Sequence, residues 1–321
     1  MAVWIATVLV YVCVCSGTTN AQETDAVYAI FEPVQASAKV SCVIKSNLTT
    51  GVLSVVSVVP MQLQGACGGG STSSLLCGFG QVGLVDVETG AFSGPVALGG
   101  YELGAVMDPV GEANTFFVMN GTDDGFALNS VHFRDGSPAG VSVTPTGCNF
   151  DHISGTTYGV EYDGARYMTT YYPPNSYNGV NSVCDVATGE VTKYPTSYTA
   201  VTSSVSAPDG TLYGVIESPL SVGTFSFQDG TWTPSTKLMT PLSSSNYLML
   251  GAYPYSSGSP SMGAYGFRDR IGFSGVVVFD TTTGATIASF SYTQVQALLQ
   301  NTPCRGNYTP ILKTLVFGNP E

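Results

Sequence analysis

The sequence predicts an all-β fold, and three observations carry this prediction. Turn-forming residues are abundant, with 38 Gly and 18 Pro among 321 residues, far more than a helical bundle tolerates. Short apolar runs are bounded by Asp, Asn and Gly throughout the chain, and Asp-Gly between such runs is a strong hairpin signal. Apolar residues make up 44% of the chain and charged residues 10%, which excludes a disordered protein.

A turn phrase recurs along the chain at intervals of 39 to 54 residues. Four copies place Gly four residues after an Asp or Asn, and two further copies are Asp-Gly pairs. The copies are Asn47–Gly51, Asp86–Gly90, Asp135–Gly136, Asp185–Gly189, Asp229–Gly230 and Asp280–Gly284. A period of this length is typical of four-stranded propeller blades. The sequence therefore predicts a six-bladed β-propeller.

A second phrase, an aromatic residue or Leu followed by small and apolar residues, precedes each turn and predicts the second strand of each blade. It begins at Tyr28, Leu76, Phe116, Tyr158, Tyr213 and Tyr265. Innermost strands are predicted over Met61–Gly65, Gly104–Pro109, Cys148–Ser154, Val201–Ser206 and Tyr247–Ala252. The first copy has no room for an inner strand. We therefore expect Ile311–Phe317 to complete the first blade, after a short helix over Thr293–Gln300.

The clearest repeat, Pro208–Val215 (PDGTLYGV), resembles repeats common in the broad propeller group that includes the NHL and quinoprotein-like families. The resemblance is to the repeat and spans about the whole mature chain. It implies the architecture but transfers no activity.

Residues 1–21 are predicted to be a signal peptide. The uncharged apolar run Met1–Ser16 is shorter than the roughly 20 residues that span a bilayer, and Thr19–Ala21 offers a small-residue cleavage site. A signal anchor is the alternative. The mature chain, residues 22–321, is expected to form a single secreted domain.

Six cysteines remain after removal of the leader: Cys42, Cys67, Cys77, Cys148, Cys184 and Cys304. An even number in an exported chain predicts three disulfides. Their pairing stays open, although Cys67 and Cys77 are near enough in sequence to close a local loop.

Sequons begin at Asn47, Asn120 and Asn307, and we expect some of them to carry glycans. The sequon at Asn120 falls in the acidic segment Asn120–Gly125, which we expect to be a solvated loop that carries a glycan.

The charge balance limits the classes of partner that the protein can bind. Ten Lys and Arg against 22 Asp and Glu give a formal net charge of −12, which disfavours nucleic acid and anionic membranes. No segment of the mature chain is apolar enough to span a membrane, and we expect a monomer. The segment Gly78–Gly83 matches a dinucleotide-binding pattern, but the βαβ context that such a site needs is missing. We therefore expect no cofactor.

The favoured function is extracellular binding of a glycan or a protein through aromatic loops on one face of the propeller. Tyrosine gives rigid, amphipathic contact area, and loops on a rigid scaffold concentrate binding sites. The candidate ligand-binding residues are Tyr171, Tyr172, Tyr177, Tyr247, Arg268 and Arg270. The two arginines form the one cationic cluster of this acidic chain.

The alternative is a calcium-dependent hydrolase of the lactonase or esterase type, acting on a small-molecule substrate. The chain resembles six-bladed lactonases and arylesterases in predicted architecture, and those enzymes hold Ca²⁺ with oxygen ligands in the central channel. Candidate metal ligands are Asp108, Asp151 and Asn246, with Glu32 and Glu102 nearby, and candidate catalytic residues are Asp151 and His152. His pairs with carboxylates in general-base catalysis. A cofactor-dependent oxidoreductase is a third hypothesis, which no motif supports.

Overall fold

The computed structural model describes residues 26–33, 39–61, 63, 67–68, 75–78, 81–98, 102–107, 115–122, 125–133, 140–151, 157–162, 165–171, 180–195, 201–206, 211–217, 220–238, 247–252, 262–268, 273–306 and 311–318. Within these residues the protein is all-β, with 24 strands and one α-helix. No helix in the described part is long and apolar enough to cross a membrane.

The first twelve strands are β1 (Ala26–Glu32), β2 (Ser41–Asn47), β3 (Leu53–Val59), β4 (Cys67–Gly68), β5 (Leu75–Gly78), β6 (Val82–Val85), β7 (Phe92–Val96), β8 (Glu102–Met107), β9 (Thr115–Thr122), β10 (Gly125–Phe133), β11 (Val141–Asp151) and β12 (Thr157–Tyr162). The remaining elements are β13 (Arg166–Tyr171), β14 (Val180–Asp185), β15 (Val191–Pro195), β16 (Val201–Ser206), β17 (Leu212–Glu217), β18 (Leu220–Ser226), β19 (Thr231–Lys237), β20 (Tyr247–Ala252), β21 (Met262–Arg268), β22 (Phe273–Asp280), β23 (Thr286–Ser291), α1 (Tyr292–Leu299) and β24 (Ile311–Phe317).

The strands form six four-stranded antiparallel sheets. Sheet 1 has the order β24, β1, β2, β3, and sheets 2 to 6 are the consecutive quartets β4–β7, β8–β11, β12–β15, β16–β19 and β20–β23. We call the leading member of each quartet the first strand. First strands of successive sheets contact one another, and the series returns from β20 to β24 and from β24 to β4.

Six clusters of buried apolar side chains fill the spaces between neighbouring sheets, including the space between sheets 6 and 1. Strand β1 shows how one strand serves two of them. Val27, Ala29 and Phe31 belong to the cluster with sheet 6, whereas Tyr28 and Ile30 belong to the cluster with sheet 2. Alternate side chains of a strand point to opposite faces. A strand covered on both faces therefore has a continuous apolar sequence, as β1 does.

The two ends of the chain meet in sheet 1. Strand β24 pairs with β1 from Val27 opposite Phe317 to Glu32 opposite Ile311. A disulfide joins Cys42 of β2 to Cys304 beyond α1, and both cysteines are buried.

Helix α1 lies beside this pairing and contacts β3 and β23. Its N-terminus carries a capping box in which Ser291 and Gln294 satisfy each other's backbone groups. The sequence-based prediction of this helix is confirmed to within one residue at each end.

The turns between third and fourth strands have a shared geometry. In five of the described turns the Gly N–H donates to the carbonyl four residues earlier. The side-chain oxygens of Asp86, Asp185 and Asp280 accept backbone N–H groups two and three residues later. The predicted role of these Asp residues as turn formers is confirmed for these three positions.

Four of these turn glycines also touch the preceding sheet. A Cβ added to Gly90 of sheet 2 would lie 2.5 Å from the carbonyl oxygen of Val58 in β3. Gly189 and Gly284 meet backbone carbonyls in the fourth strands of sheets 3 and 5, and Gly230 meets the Tyr194 side chain in the fourth strand of sheet 4. Gly51 of sheet 1 is different, because no described residue lies within 4 Å of its added Cβ. Because this contact recurs, these successive sheets pack against one another in a similar way.

Two of the predicted inner strands are misplaced. Residues 148–151 end β11, the fourth strand of sheet 3, and the first strand of sheet 4 is β12. Tyr158 consequently lies in a first strand rather than a second one. The reason is the length of β11, whose pairing with β10 shifts at a bulge near Gly147, a residue with φ of 86°. Such a break in alternation imitates the end of one strand and the start of another.

The other misplaced inner strand belongs to sheet 2, where Met61–Gly65 was expected and β4 is the first strand. The remaining strand predictions are confirmed at the level of the element.

A second disulfide joins Cys148 to Cys184 and thereby links sheets 3 and 4. Cys67 and Cys77 occupy directly opposite positions in β4 and β5, as expected for partners close in sequence. Their pairing remains a prediction.

Substitution of turn glycines will test the contact between sheets. Gly51 and Gly90 have positive φ angles of 68° and 73°, so Ala at either position should cost about 1 kcal/mol in backbone strain. Gly90→Ala should cost about 2 kcal/mol more because of its clash with Val58. Urea unfolding measures both values. Equal losses at the two positions would contradict the packing described here.

Removal of the two disulfides should destabilise the protein unequally. The bridges span sequence separations of 262 and 36 residues, and chain entropy predicts a loss about 2 kcal/mol larger for the Cys42–Cys304 pair. All four cysteines are buried, so double Ala variants remove comparable core volume. The comparison is made by equilibrium unfolding without reductant, and a larger loss for Cys148–Cys184 would refute it.

Candidate functional site

Four of the candidate site residues lie in described strands. Asp151 ends β11, Tyr171 ends β13, Tyr247 begins β20 and Arg268 ends β21. The other candidates lie outside the described residues: Asp108, His152, Tyr172, Tyr177, Asn246 and Arg270. The placement of these residues therefore follows from the backbone positions of the strand ends.

Antiparallel pairing places the start of each first strand beside the end of the second strand. Tyr247 lies directly opposite Arg268 in sheet 6, and Thr157 lies opposite Tyr171 in sheet 4. Contacts between a second strand and the next first strand recur in sheets 2, 3, 5 and 6, as they would in sheets that share one orientation. We call the side on which first strands begin and second strands end the entry face. Tyr171, Tyr247 and Arg268 all lie at this face.

The entry face also holds a buried carboxylate. Glu32 ends β1 opposite Ile311, the first residue of β24, and it is only 6% exposed. Burial of a charged group is costly unless it is paired. Glu32 thus places a carboxyl group at the end of sheet 1, beside the first strand of that sheet.

The candidate metal ligands adjoin different strand ends. The expectation that Asp151 lies on an inner strand is wrong, because Asp151 ends the fourth strand of sheet 3 and pairs with Gly125. Asp108 follows the end of β8, whereas Asn246 precedes the start of β20. A strand of six residues is about 20 Å long, so these two chain positions adjoin opposite ends of first strands.

Within the described part of the chain, no group of three His, Cys, Asp or Glu residues is arranged to hold a metal ion. The predicted roles of Asp108, Asp151, His152 and Asn246 remain untested. His132 lies in the third strand of sheet 3, and its Nδ1 lies 2.9 Å from Oγ1 of Thr115.

The clearest charged cluster of the described residues lies between sheets 1 and 2. The Tyr28 hydroxyl donates to Oε1 of Glu88, Lys45 Nζ lies 3.7 Å from the same oxygen, and the ammonium stands 5.2 Å from the centre of the Tyr28 ring. Burial, followed by the hydrogen bond to Glu88, raises the pKa of Tyr28 above 10.0. The cluster fastens the turn of sheet 2 to sheet 1.

Sequence reasoning missed this cluster. Tyr28 and Lys45 are cross-strand partners in β1 and β2, but Glu88 is 60 residues from Tyr28 and no local pattern marks their contact. The turn motif around Asp86 was the available signal, because it identified the turn that presents Glu88.

The turn carboxylates themselves are committed to backbone hydrogen bonds. Hydrogen bonds from the backbone and side chain of Thr283 lower the pKa of Asp280 below 3.8. A carboxylate held in this way is an acceptor for its own turn.

No protein-family model matches the sequence, and no curated protein matches it. Solved structures do match. A chain of a nidogen/laminin complex has a TM-score of 0.56 at 10% identity, over 92% of this chain and 99% of that chain. The β-propeller domain of Cps50 (Swd1) from Myceliophteria thermophila has a TM-score of 0.47 at 12% identity, over 81% and 86% of the two chains.

TolB from Acinetobacter baumannii is a third similar structure, with a TM-score of 0.42 at 12% identity over 83% of this chain and 68% of that chain. The structural neighbours are β-propeller proteins, and identities this low show the fold alone. The protein has an all-β fold of small sheets, and the solved structures that it resembles are β-propellers.

The Tyr28 cluster predicts a change of stability at high pH. A raised folded-state pKa stabilises the protein fully below the unfolded pKa of about 10, and that contribution is lost as pH rises through the folded value. The unfolding free energy should therefore fall more steeply above about pH 10 in the native protein than in Tyr28→Phe. Urea unfolding from neutral to alkaline pH measures this. Parallel curves for the two proteins would contradict the raised pKa.

Proposed function

We propose that the protein is an exported six-bladed β-propeller, closed by its C-terminal strand, that binds a glycan or a protein surface at the entry face. The mature chain, residues 22–321, is one domain in this proposal, and residues 1–21 are its signal peptide.

Closure is supported by three features of the described residues. Six four-stranded sheets are present, β24 supplies the first strand of sheet 1, and contacts between first strands follow one another from β24 through β4, β8, β12, β16 and β20 back to β24. Closure of this kind leaves only short, protected sheet edges.

Export is supported by the disulfides. Both described bridges join buried cysteines, and disulfides persist in oxidising compartments. The apolar N-terminal segment, residues 1–21, is the proposed signal for export.

The observation that carries the binding proposal is the register of sheet 6, which sets Tyr247 opposite Arg268 at the entry face. Tyr171 reaches the same face from sheet 4. Tyr172, Tyr177 and Arg270 follow these strand ends directly or within a few residues in sequence. Tyrosine stacks on sugar rings and packs on protein surfaces at a low entropic cost, and Arg donates to carboxylates or sulfates in a fixed fork.

The calcium-dependent hydrolase remains the alternative hypothesis. It requires Asp108, Asp151 and Asn246 to converge, and the strand ends that they adjoin are distributed over both ends of the sheets. Binding at the entry face requires no such convergence, and we favour it for that reason.

Binding is tested with the secreted, fluorescently labelled protein on a glycan array and on a panel of immobilised extracellular proteins. Loss of several aromatic contacts at about 1 kcal/mol or more each should weaken binding to any hit at least tenfold in the Tyr171→Ala, Tyr172→Ala, Tyr177→Ala triple variant. Arg268→Ala should weaken binding to anionic hits selectively.

Val143→Ala is the matched surface control, since Val143 lies exposed on the fourth strand β11 and should leave binding unchanged. Unaltered affinity of the triple variant for every hit would overturn the proposed site. Activity on lactones or esters that requires Ca²⁺ and is lost with EDTA would favour the hydrolase instead.

A further inference from the structure

Two of the three sequons lie in described strands, and their surroundings differ sharply. Asn120 lies within β9, which pairs with β8 on one side and β10 on the other. It is 5% exposed, and its Oδ1 accepts a hydrogen bond from Nδ2 of Asn129. The expectation of a solvated loop at Asn120 is therefore wrong. A glycan on this side chain is incompatible with the packed sheet.

Asn47 occupies the position that Asp takes in the other turns of the same kind. Its Oδ1 accepts the backbone N–H of Thr50 at 2.8 Å, and no hydrogen bond within the described residues engages its Nδ2. Thr49, the third residue of the sequon, is exposed. The turn therefore uses the amide oxygen and leaves the nitrogen available for substitution.

The turn that begins at Asn47 also has space that the equivalent turns lack. Among the described residues nothing lies within 4 Å of a Cβ added to Gly51, whereas Gly90, Gly189, Gly230 and Gly284 lie against the preceding sheet. Val52, beside the turn, is 60% exposed. A sugar attached at Asn47 has room beside the turn and an apolar side chain to cover.

We propose that Asn47 carries an N-linked glycan in the exported protein and that Asn120 carries none. The Nδ2 of Asn47 attacks the anomeric carbon of a lipid-linked oligosaccharide diphosphate. The new C–N bond replaces the C–O bond to the diphosphate, and the lipid diphosphate leaves as the amide proton passes to solvent. The proposal rests on export, which is part of the proposed function, and it takes this export to pass through a eukaryotic secretory pathway.

The full-length protein is expressed in cultured mammalian cells, and the secreted fraction is treated with peptide N-glycosidase in H₂¹⁸O. This enzyme converts a glycosylated Asn to labelled Asp, and peptide mapping then reports each sequon separately. We expect complete or nearly complete labelling at Asn47. At Asn120 we expect no labelling beyond that of the same sample kept in H₂¹⁸O without the enzyme, because an Asn followed by Gly deamidates spontaneously. A parallel version with residues 1–21 replaced by an established secretory leader separates failure of export from failure of the modification.

Two variants control the assignment. Asn47→Asp recreates the turn found at Asp86, Asp185 and Asp280, so it should be secreted at the native level with one glycan fewer on a denaturing gel. Thr49→Ala removes the sequon and retains the amide oxygen of Asn47, and it should show the same loss.

An unlabelled Asn47 in secreted protein, with either leader, would overturn the inference, as would enzyme-dependent labelling of Asn120 in folded, secreted protein. Retention of the native protein together with secretion and Asn47 labelling of the leader-replaced version would refute the native export signal and support the glycan site.

Discussion

The backbone pairing of β24 with β1 is the interaction on which the rest of the structure depends. It gives β1 a partner on each edge, while sheets 6 and 2 cover its two faces, and all seven residues of β1 are buried. Without β24, sheet 1 would present an unpaired apolar edge, which is a hazard for association with other chains. The Cys42–Cys304 disulfide holds the same junction covalently.

The fourth strands leave edges on the outside of the sheets, and the sequence protects them in two ways. Pro95, Pro145, Pro195 and Pro234 lie within the fourth strands of sheets 2 to 5, where the missing N–H prevents pairing with another strand. The fourth strands without proline are β3 and β23, and both contact α1. The helix thus covers the edges on either side of the junction between sheets 6 and 1.

Much of this fold could be predicted because its constraints are local. The Asp86 turn repeats as a set of short-range hydrogen bonds, and second strands such as Phe116–Val118 are recognisable because both of their faces are buried. The prediction failed at β11, where the bulge near Gly147 interrupts the strand. The contact of Tyr28 with Glu88 was beyond sequence reasoning, because it depends on how two sheets dock. For the candidate site, only the positions at strand ends could be foreseen.

The two ends of the sheets are under different constraints, and this difference favours the proposal of a binding site at the entry face. Five of the turns between third and fourth strands are described and share one geometry, and in four of them the glycine packs against the preceding sheet. Connections between second and third strands extend from two residues, 123–124, to eight, 172–179. Connections whose length is not fixed can vary in length and side chains without loss of the fold. The tyrosine-rich connection of sheet 4 lies where the architecture tolerates such variation.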